Sequence, residues 1–557
     1  MRNPEFDFMA TSRFKKLREL DKNMLRELEK GILRRKPGRR TRDKSFETWF
    51  GQLESVQGLR ELSATLARGG LFDVRCEQHG VRDLDGSRWT MTIARAATTD
   101  MWPMGTHYWV RDNALIGARF LASGSRQGAR LGKSVLMSAL SFMSTVSQLQ
   151  RFEKVVRSSS RTFKSNPDNW PYIFAGVENN LNASQKEGWA HKQDAWQIVA
   201  WFVLCSLENG SISLRELNAK HRRFLGLIIP FLVSIDFVRS ENSGSWEEIP
   251  AARSSVIAWE HRLIVKLAEL AQRRDFAFIQ REFEKNRQYL PRSLRNQSLL
   301  GIVSRKERDV ITYMTSNLPF ECGAYSKRDP RYREGDGALV YLLMLDYPRF
   351  LAERAKKTLS WAADLEGRLL KQILKLVDSK SRGIYRYAND TYQRCGYFRH
   401  ETVQKLTDLY GAPSGDSSTH FVARERIVPK GRKAAWTHFV WQLAAWSGER
   451  YVESGSRRYR QLHDRFFRWG LGFVTGSGEL SLDQDARGFS RIIRLPKFRM
   501  PECFIADVAP SGREMVFPSP HTPLNWSVGE MLNAFRVREA VLEHDAGLGE
   551  ARRRKAA

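Results

Sequence analysis

Apolar residues recur at helical spacing along most of the chain. From about residue 131 onwards, they repeat every three or four positions over stretches that are long enough for α-helices. Polar connections that contain Gly, Pro or Ser separate these stretches. We therefore predict helices over 131–149, 194–207, 214–237, 252–271, 337–345, 349–377, 434–446 and 456–473.

A short region ahead of these helices has a different pattern. Between about residues 71 and 97, apolar and polar residues alternate around Gly80 and Gly86, and this alternation predicts a few β-strands. They are too few for an independent β-sandwich, which needs about seven strands. We expect residues 46–100 to pack on the helical body.

The N-terminal segment combines an apolar helical stripe with many Lys and Arg residues. The stripe lies between residues 11 and 36, and a cationic run follows at 34–44, where Pro37-Gly38 breaks the helix. Such a segment could hold an anionic lipid headgroup or a phosphate backbone. A helix packed on its own domain, followed by a solvated linker, explains the pattern equally well. The basic residues at 546–557 predict a disordered tail.

Charge and cysteine content constrain partners and location. The 557-residue chain has a net charge of +29, which suggests a polyanionic partner: nucleic acid, an anionic membrane surface or a phosphorylated polysaccharide. Its 5 cysteines are dispersed and odd in number, so we expect free thiols in a reducing compartment. We find no apolar secretory core and no run of about 18–20 apolar residues, and we expect a cytoplasmic protein.

Several catalytic templates are missing from the sequence. It has no Gly-x-Ser-x-Gly elbow, no phosphate-binding Gly-x-x-x-x-Gly-Lys-Ser/Thr loop, no His-Glu-x-x-His zinc motif and no dinucleotide fingerprint. His191 and His438 lack a second ligand at metal spacing, so we interpret them as structural. We expect neither a metal nor an organic cofactor.

Acidic residues among aromatic ones suggest glycosidic chemistry. Glu247 and Glu248 follow Trp246, and Glu502 follows Pro501. Hydrolysis of a glycosidic bond needs one carboxylic acid to protonate the leaving oxygen and one carboxylate to activate water or attack the sugar. Structural alternatives stay open, because the first two acids could stabilise a helix N-terminus and the third could be a surface or salt-bridged residue.

Five motifs, in order, resemble the signature of glycoside hydrolase family 15. That family includes glucoamylases, glucodextranases and some trehalases, and its fold recurs in the phosphorylase kinase alpha and beta subunits. The resemblance runs from about residue 102 to 535 and implies an (α/α)6 barrel with its site at one mouth. The motifs are Tyr108-Trp109-Val110-Arg111-Asp112-Asn113-Ala114-Leu115, Trp189-Ala190-His191-Lys192-Gln193-Asp194-Ala195, Trp246-Glu247-Glu248, Pro501-Glu502 and Thr522-Pro523-Leu524-Asn525-Trp526-Ser527.

The resemblance implies a role for each matched residue. Glu247 corresponds to the general acid and Glu502 to the general base, while Arg111 and Asp112 would bind the sugar at the non-reducing end. An ion pair between the last two residues would look the same in the sequence. Further substrate contacts would come from Trp109, Trp189, Asp194, Trp246, Glu248 and Trp526.

Two departures from the family pattern bear on catalytic efficiency. Gly105, Thr106 and His107 stand where the family commonly has tyrosines, and an aromatic ring there would help to stabilise a cationic transition state. Gln193 and Asp194 are adjacent, whereas the family usually separates them by one residue.

The expected protein is an all-α (α/α)6 barrel over residues 101–545, preceded by the strand segment at 46–100 and the basic extension at 1–45. The resemblance implies an inverting, exo-acting glycoside hydrolase that releases glucose from an α-glucan or α-glucoside. The alternative is a non-catalytic glucan-binding regulatory or scaffold protein, like the phosphorylase kinase alpha subunit. A nucleic-acid-binding protein is a third possibility that rests on charge alone. Linkage, chain length and oligomeric state stay open.

Overall fold

The computed structural model places most of the chain, and all structural statements below concern the part that it describes. The side chains of Asp194 and of several strand and terminal-helix residues are excluded from that part. The described residues are 53–67, 76–95, 107–122, 126–166, 169–176, 194–242, 244–246, 250–329, 331–378, 382–388, 390, 434–476, 479–484, 490–496, 498–508, 514–519, 522 and 524–556. The predicted basic extension at residues 1–45 lies outside them.

Helices dominate the described structure, and the prediction of a mostly α-helical protein is confirmed. The helices are α1 Val56–Ala67, α2 Val110–Leu121, α3 Arg126–Met143, α4 Val146–Arg157, α5 Arg161–Ser165, α6 Asp194–Glu208, α7 Ala219–Ile235, α8 Ser254–Leu270, α9 Ala277–Asn286, α10 Leu299–Asn317, α11 Val340–Met344, α12 Tyr347–Arg354, α13 Leu359–Leu374, α14 His438–Ser454, α15 Arg457–Leu471 and α16 Asn525–Ala556.

Six of these helices form a closed inner ring. The ring members are α2, α6, α8, α11, α14 and α16. Each contacts the next member along the chain, and α16 contacts α2. Inner helices are apolar over most of their circumference, as α14 illustrates, because they pack on neighbours at both sides and on outer helices behind.

Six outer helices alternate with the inner ones along the chain, which gives the predicted (α/α)6 barrel. They are α1, α3, α7, α10, α13 and α15, and each packs on at least one inner helix. The outer helices are more clearly amphipathic, since only one face is covered: α15 buries Phe466 and Phe467 while Arg465 and Arg468 are exposed.

Local capping explains where three predicted helices divide. The prediction of one helix over 131–149 is wrong, because α3 ends at Met143 and Thr145 begins α4 by accepting a hydrogen bond from Gln148 N–H. The prediction of one helix over 349–377 is wrong, because Lys356 has a left-handed φ of 53° and Thr358 begins α13 by accepting a hydrogen bond from Trp361 N–H. The predicted helix at 214–237 begins late, at α7, because Asn218 caps that helix.

A C-terminal helix covers most of the predicted disordered tail. Helix α16 continues to Ala556 and includes the basic residues at 552–555, where the composition predicts a disordered tail from residue 546. Ala, Arg and Lys are strong helix formers, so the run can extend a helix that is already nucleated by packing.

The strands are short and antiparallel. The predicted strand segment is a hairpin of β1 Cys76–Arg82 and β2 Arg88–Ala94. Two more pairs join β3 His107–Trp109 to β4 Phe174–Gly176, and β7 Leu480–Gln484 to β8 Ser490–Arg494. A four-stranded sheet has the order β10 Glu514–Pro518, β9 Cys503–Val508, β6 Ala435–Trp436 and β5 Ile384–Tyr385.

Candidate active site

The N-terminal ends of several inner helices meet at one mouth of the barrel. Arg111 from the start of α2 lies with its guanidinium 4.9 Å from the ring centre of Trp526, at the start of α16. His438, which begins α14, stacks on the same Trp526 with ring centres 4.2 Å apart. The turn Gly244–Trp246, which precedes α8, joins this group through Trp246, whose ring centre lies 6.4 Å from that of His438.

Arg111 and Asp112 lie at the base of this mouth and are almost fully buried, at 7% and 4% exposure. Arg111 Nη1 donates a hydrogen bond of 2.9 Å to the carbonyl of Ser245, and its Nε lies 4.0 Å from Asp112 Oδ2. The guanidinium therefore links α2, α16 and the Gly244–Trp246 turn. Glu247 follows this turn directly in the sequence.

Trp246 is held from several sides. Its Nε1 donates a hydrogen bond of 2.6 Å to Asp336 Oδ1, and its ring packs edge-on against Phe439 with centres 5.4 Å apart. Asp336 is fully buried and accepts a further hydrogen bond from Ala338 N–H at 2.8 Å. The backbone that leads into Glu247 is thus anchored by the segment ahead of α11.

The turn itself requires glycine. Gly244 has a φ of 61°, in the left-handed region that side chains disfavour. A Cβ at this position would lie 2.3 Å from Arg253 Cδ, so the fully buried Arg253 side chain occupies the space that any larger residue would need.

Glu502 reaches the same mouth through the four-stranded sheet. It precedes β9, is 2% exposed, and its carbonyl accepts a hydrogen bond of 3.3 Å from Thr437 N–H, one residue before His438. Ser519 Oγ, beyond β10, donates to Glu502 Oε2 at 3.3 Å. Neighbouring strands therefore supply both the position and a hydrogen-bond donor for this carboxylate.

Two buried groups at this mouth stay uncharged near neutral pH. Burial and then the charge of Glu502 hold the pKa of the Cys503 thiol well above its usual range. Burial and then the positive charge of Arg111 hold the pKa of His438 well below its usual range. Both ring nitrogens of His438 lack a hydrogen-bond partner in the described part of the chain.

A second arginine lies close to the tryptophans of the mouth. Arg386 makes hydrogen bonds of 2.9 and 2.6 Å to the two oxygens of Asp390, and both residues are buried. Its guanidinium lies 5.7 Å from the ring centre of Trp246 and 5.6 Å from that of Trp436. A buried Arg386–Asp390 ion pair thus lies against the Trp246 and Trp436 rings.

Known proteins resemble the chain in fold and not in sequence. No known family model matches the chain, and no curated protein matches it. It is similar to solved structures of glycosidases and glucoamylases. A wild-type glycosidase has 14% identity and a TM-score of 0.49, with 88% of this chain and 98% of that chain covered.

Two glucoamylases give similar values. Glucoamylase from Saccharomycopsis fibuligera has 12% identity and a TM-score of 0.48, with 88% of this chain and 96% of that chain covered. Glucoamylase from Hormoconis resinae has 13% identity and a TM-score of 0.43, with 87% and 73% covered.

The structure brings together five of the residues that the sequence motifs predict for the site: Arg111, Asp112, Trp246, Glu502 and Trp526. Trp109 lies at the N-terminal boundary of α2 and is 6% exposed within the hydrophobic core. Asp194 begins α6, and its side chain is not described. Glu247, Glu248 and Trp189 lie outside the described residues.

Several polar residues of this mouth are not predicted from the sequence. Asp336, Arg386 and Ser519 belong to none of the motifs, and the spacing of Arg386 and Asp390 is a weak signal for an ion pair. The structural role predicted for His438 agrees with its burial.

The described residues offer neither a metal site nor a membrane span. They contain no group of three or more His, Cys, Asp or Glu side chains that could hold a metal ion. None of the helices in the described part is long and apolar enough to cross a membrane.

Proposed function

We propose that this protein is a glycoside hydrolase that removes glucose from the non-reducing end of an α-glucan or α-glucoside with inversion of configuration. The observation that carries the proposal is the meeting of Glu502, Arg111 and the turn that leads into Glu247 at one mouth. These residues come from distant parts of the sequence, and a binding-only barrel has no need for two acids there.

Glu502 is the proposed general base. Its carboxylate is nearly inaccessible to bulk water and has the Ser519 hydroxyl as a donor, which stabilises one orientation of the group. In an inverting reaction it would take a proton from a water molecule that attacks the anomeric carbon. Cys503 does not compete for this role, because its thiol stays protonated.

Glu247 is the proposed general acid, which protonates the departing oxygen. Inversion requires a gap of about 6.5–9.5 Å between the two carboxyl groups, so that a water molecule fits between Glu502 and the sugar. The hydrogen bond from Trp246 to Asp336 holds the residue that directly precedes Glu247 in the sequence.

The remaining residues would bind the sugar. Arg111 and Asp112 offer donors and acceptors for its hydroxyls, and the rings of Trp246 and Trp526 offer apolar faces for it. Trp109, Trp189, Asp194 and Glu248 remain proposed contacts from the family resemblance. No metal or organic cofactor takes part in this scheme.

The test is hydrolysis by purified protein of maltose, isomaltose, trehalose and a short α-glucan. Proton NMR would follow the first product, and inversion at an α-linkage predicts β-glucose. We expect Glu247→Gln and Glu502→Gln each to lower kcat at least ~100-fold, the usual loss when a general acid or base is removed. Glu353→Gln, at an exposed position on α12, is the matched control and should keep wild-type kcat.

Three outcomes would contradict the proposal. Wild-type turnover in either site variant would remove that residue from the mechanism. Initial release of α-glucose from the non-reducing end of the short α-glucan would contradict inversion. Glucan binding without hydrolysis of any substrate would favour the non-catalytic regulatory or scaffold protein.

A further inference from the structure

A groove of about 260 Å³ lies between the outer helices α13 and α15, outside the candidate site. Five of its six lining residues are apolar, and they include the partly exposed Trp469 and Leu374, which is 38% exposed. The lining is Leu374, Val377, Leu462, Arg465, Phe466 and Trp469.

A hydrogen bond joins the two helices beside the groove. Tyr459, in the first turn of α15, donates a hydrogen bond of 2.7 Å to Glu366 Oε2, in the middle of α13. The groove lies farther along both helices, at Leu374 on one and Leu462 to Trp469 on the other. The groove therefore lies between two helices that are linked by the hydrogen bond from Tyr459 to Glu366.

Exposed cations cluster on these helices. Six of these solvent-exposed side chains form neither an ion pair nor a side-chain hydrogen bond within the described structure. They are Lys371, Lys375, Arg457, Arg458, Arg465 and Arg468.

The carboxylates of the two helices are already paired. Asp364 lies 3.8 Å from Arg368, Glu366 lies 2.9 Å from Arg450, and Asp464 lies 2.5 Å from Arg538. The surface thus presents an apolar groove and unpaired positive charges, while each acid on α13 and α15 already has an arginine partner.

We propose that this surface docks on a lipid bilayer that contains anionic phospholipid. Lys and Arg side chains near such a surface are attracted by its negative potential, and partly exposed Trp and Leu side chains favour the interface between headgroups and acyl chains. The groove would receive the apolar part of a lipid, with Arg465 at the headgroup.

The lining decides between lipid and polysaccharide. A phosphorylated glucan would satisfy the cations, but the groove offers only one polar side chain to its hydroxyls, which would lose their hydrogen bonds to water on entry. A nucleic acid has the same difficulty with Leu374, Val377 and Leu462, since these aliphatic residues cannot stack on bases as aromatic rings do.

The test is co-sedimentation of the full chain with vesicles of phosphatidylcholine, with and without about one third phosphatidylglycerol. We expect R465E/R468E to weaken binding to the anionic vesicles at least tenfold. The matched control is R305E/R308E, which reverses two exposed, unpaired arginines at the same spacing on the outer helix α10 and should change binding less than twofold.

A third variant probes the groove itself. Leu374→Asn is expected to reduce the binding that persists at high salt, where screening removes most of the charge attraction. Circular dichroism would establish that each variant is folded.

Several results would overturn the proposal. Equal losses in R465E/R468E and R305E/R308E would indicate attraction by overall charge only. Binding to phosphorylated glucan or RNA without binding to anionic vesicles would assign the surface to a different partner. Unchanged vesicle binding in R465E/R468E would exclude this surface from the contact.

Discussion

Glu502 takes its environment from residues that are close in space and spread along the chain. Thr437 fixes its backbone, Ser519 donates to its side chain, and Cys503 beside it remains a neutral thiol.

A second buried carboxylate, Glu321, lies behind the candidate site. Both it and Asp336 are fully buried. Glu321 accepts hydrogen bonds from the Ser255 backbone N–H and hydroxyl. Burial, followed by repulsion from Asp336, raises the pKa of Glu321 from 4.5 to about 8. Glu321 is therefore largely protonated in the folded protein at neutral pH and ionised in the unfolded chain.

This difference predicts a pH-dependent stability. The stabilisation of the folded state by protonated Glu321 is fully present below about pH 4.5. It is lost as the pH rises through about 8, because Glu321 releases its proton at a lower pH in the unfolded chain than in the folded protein. Glu321→Gln cannot ionise. We expect the free energy of unfolding of this variant, relative to that of wild type, to increase by up to a few kcal/mol between pH 4.5 and 8. Each unit of difference in pKa corresponds to ~1.4 kcal/mol.

Urea unfolding at a series of pH values would measure this effect. Exposed Glu353→Gln is the control and should follow the wild-type curve. Parallel curves for Glu321→Gln and wild type would show that Glu321 ionises alike in both states.

At the scale of elements, α2 and α3 approach each other through two glycines. A Cβ on Gly132 would lie 2.2 Å from the backbone nitrogen of Leu121, and one on Gly117 would lie 2.8 Å from that of Leu136. Backbone atoms cannot move aside as a flexible side chain can. The close contact therefore sets how tightly this outer helix packs on the C-terminal half of α2.

Gly132→Ala should destabilise the protein by about 2 kcal/mol or more, because α2 and α3 must separate to admit the methyl group. Gly367→Ala is the comparison, since Gly367 is also inside a helix, α13, but a methyl group there would meet no neighbouring group within 4 Å. That change should stabilise by about 0.5–1 kcal/mol through helix propensity. Thermal unfolding followed by circular dichroism measures both; shifts of Tm in the same direction would contradict the close-packing argument.

At the scale of the whole molecule, the last helix closes the barrel. Helix α16 packs between α14 and α2, where Glu530 is fully buried, lies 3.2 Å from Arg119 and accepts a hydrogen bond of 3.2 Å from Gln442. The candidate site depends on this closure, since Trp526 stands at the start of α16 and Arg111 at the start of α2.

The basic extension at residues 1–45 should not be needed for hydrolysis by the barrel. Residues 1–45 carry none of the sugar motifs, so their deletion should leave hydrolysis of a small soluble glucoside within about twofold. Salt-sensitive binding to anionic vesicles, RNA or phosphorylated glucan should weaken, because attraction of cations to polyanions is screened by salt. Loss of small-substrate activity in a truncated protein that stays folded would mean that the extension helps to build the site.

Much of the architecture could be predicted from the sequence because helix formation is local. The apolar spacing in α8, α14 and α15 is visible within a few turns, and the order of the motifs implied the barrel before any contact was known. Three divisions were missed, at Thr145, at Lys356 and before α7, because a cap can stop a helix inside an apolar pattern that continues past it.

The candidate site was only partly predictable. Arg111, Asp112, Trp246, Glu502 and Trp526 stand in recognisable motifs. Asp336, Arg386 and Ser519 have ordinary neighbours in the sequence, and their roles depend on burial and on partners far along the chain.

The sequence by itself therefore determined the helical class, the alternation that forms a barrel and the motif residues at its mouth. These properties follow from side-chain spacing and from residue order. Only the tertiary structure decided that Glu321 lies near Asp336, that His438 stays neutral, and that cations without an ion-pair partner among the described residues border an apolar groove on α13 and α15. The physical reason is that pKa shifts and surface patches depend on solvent exclusion and on distances between residues that only the folded chain brings together.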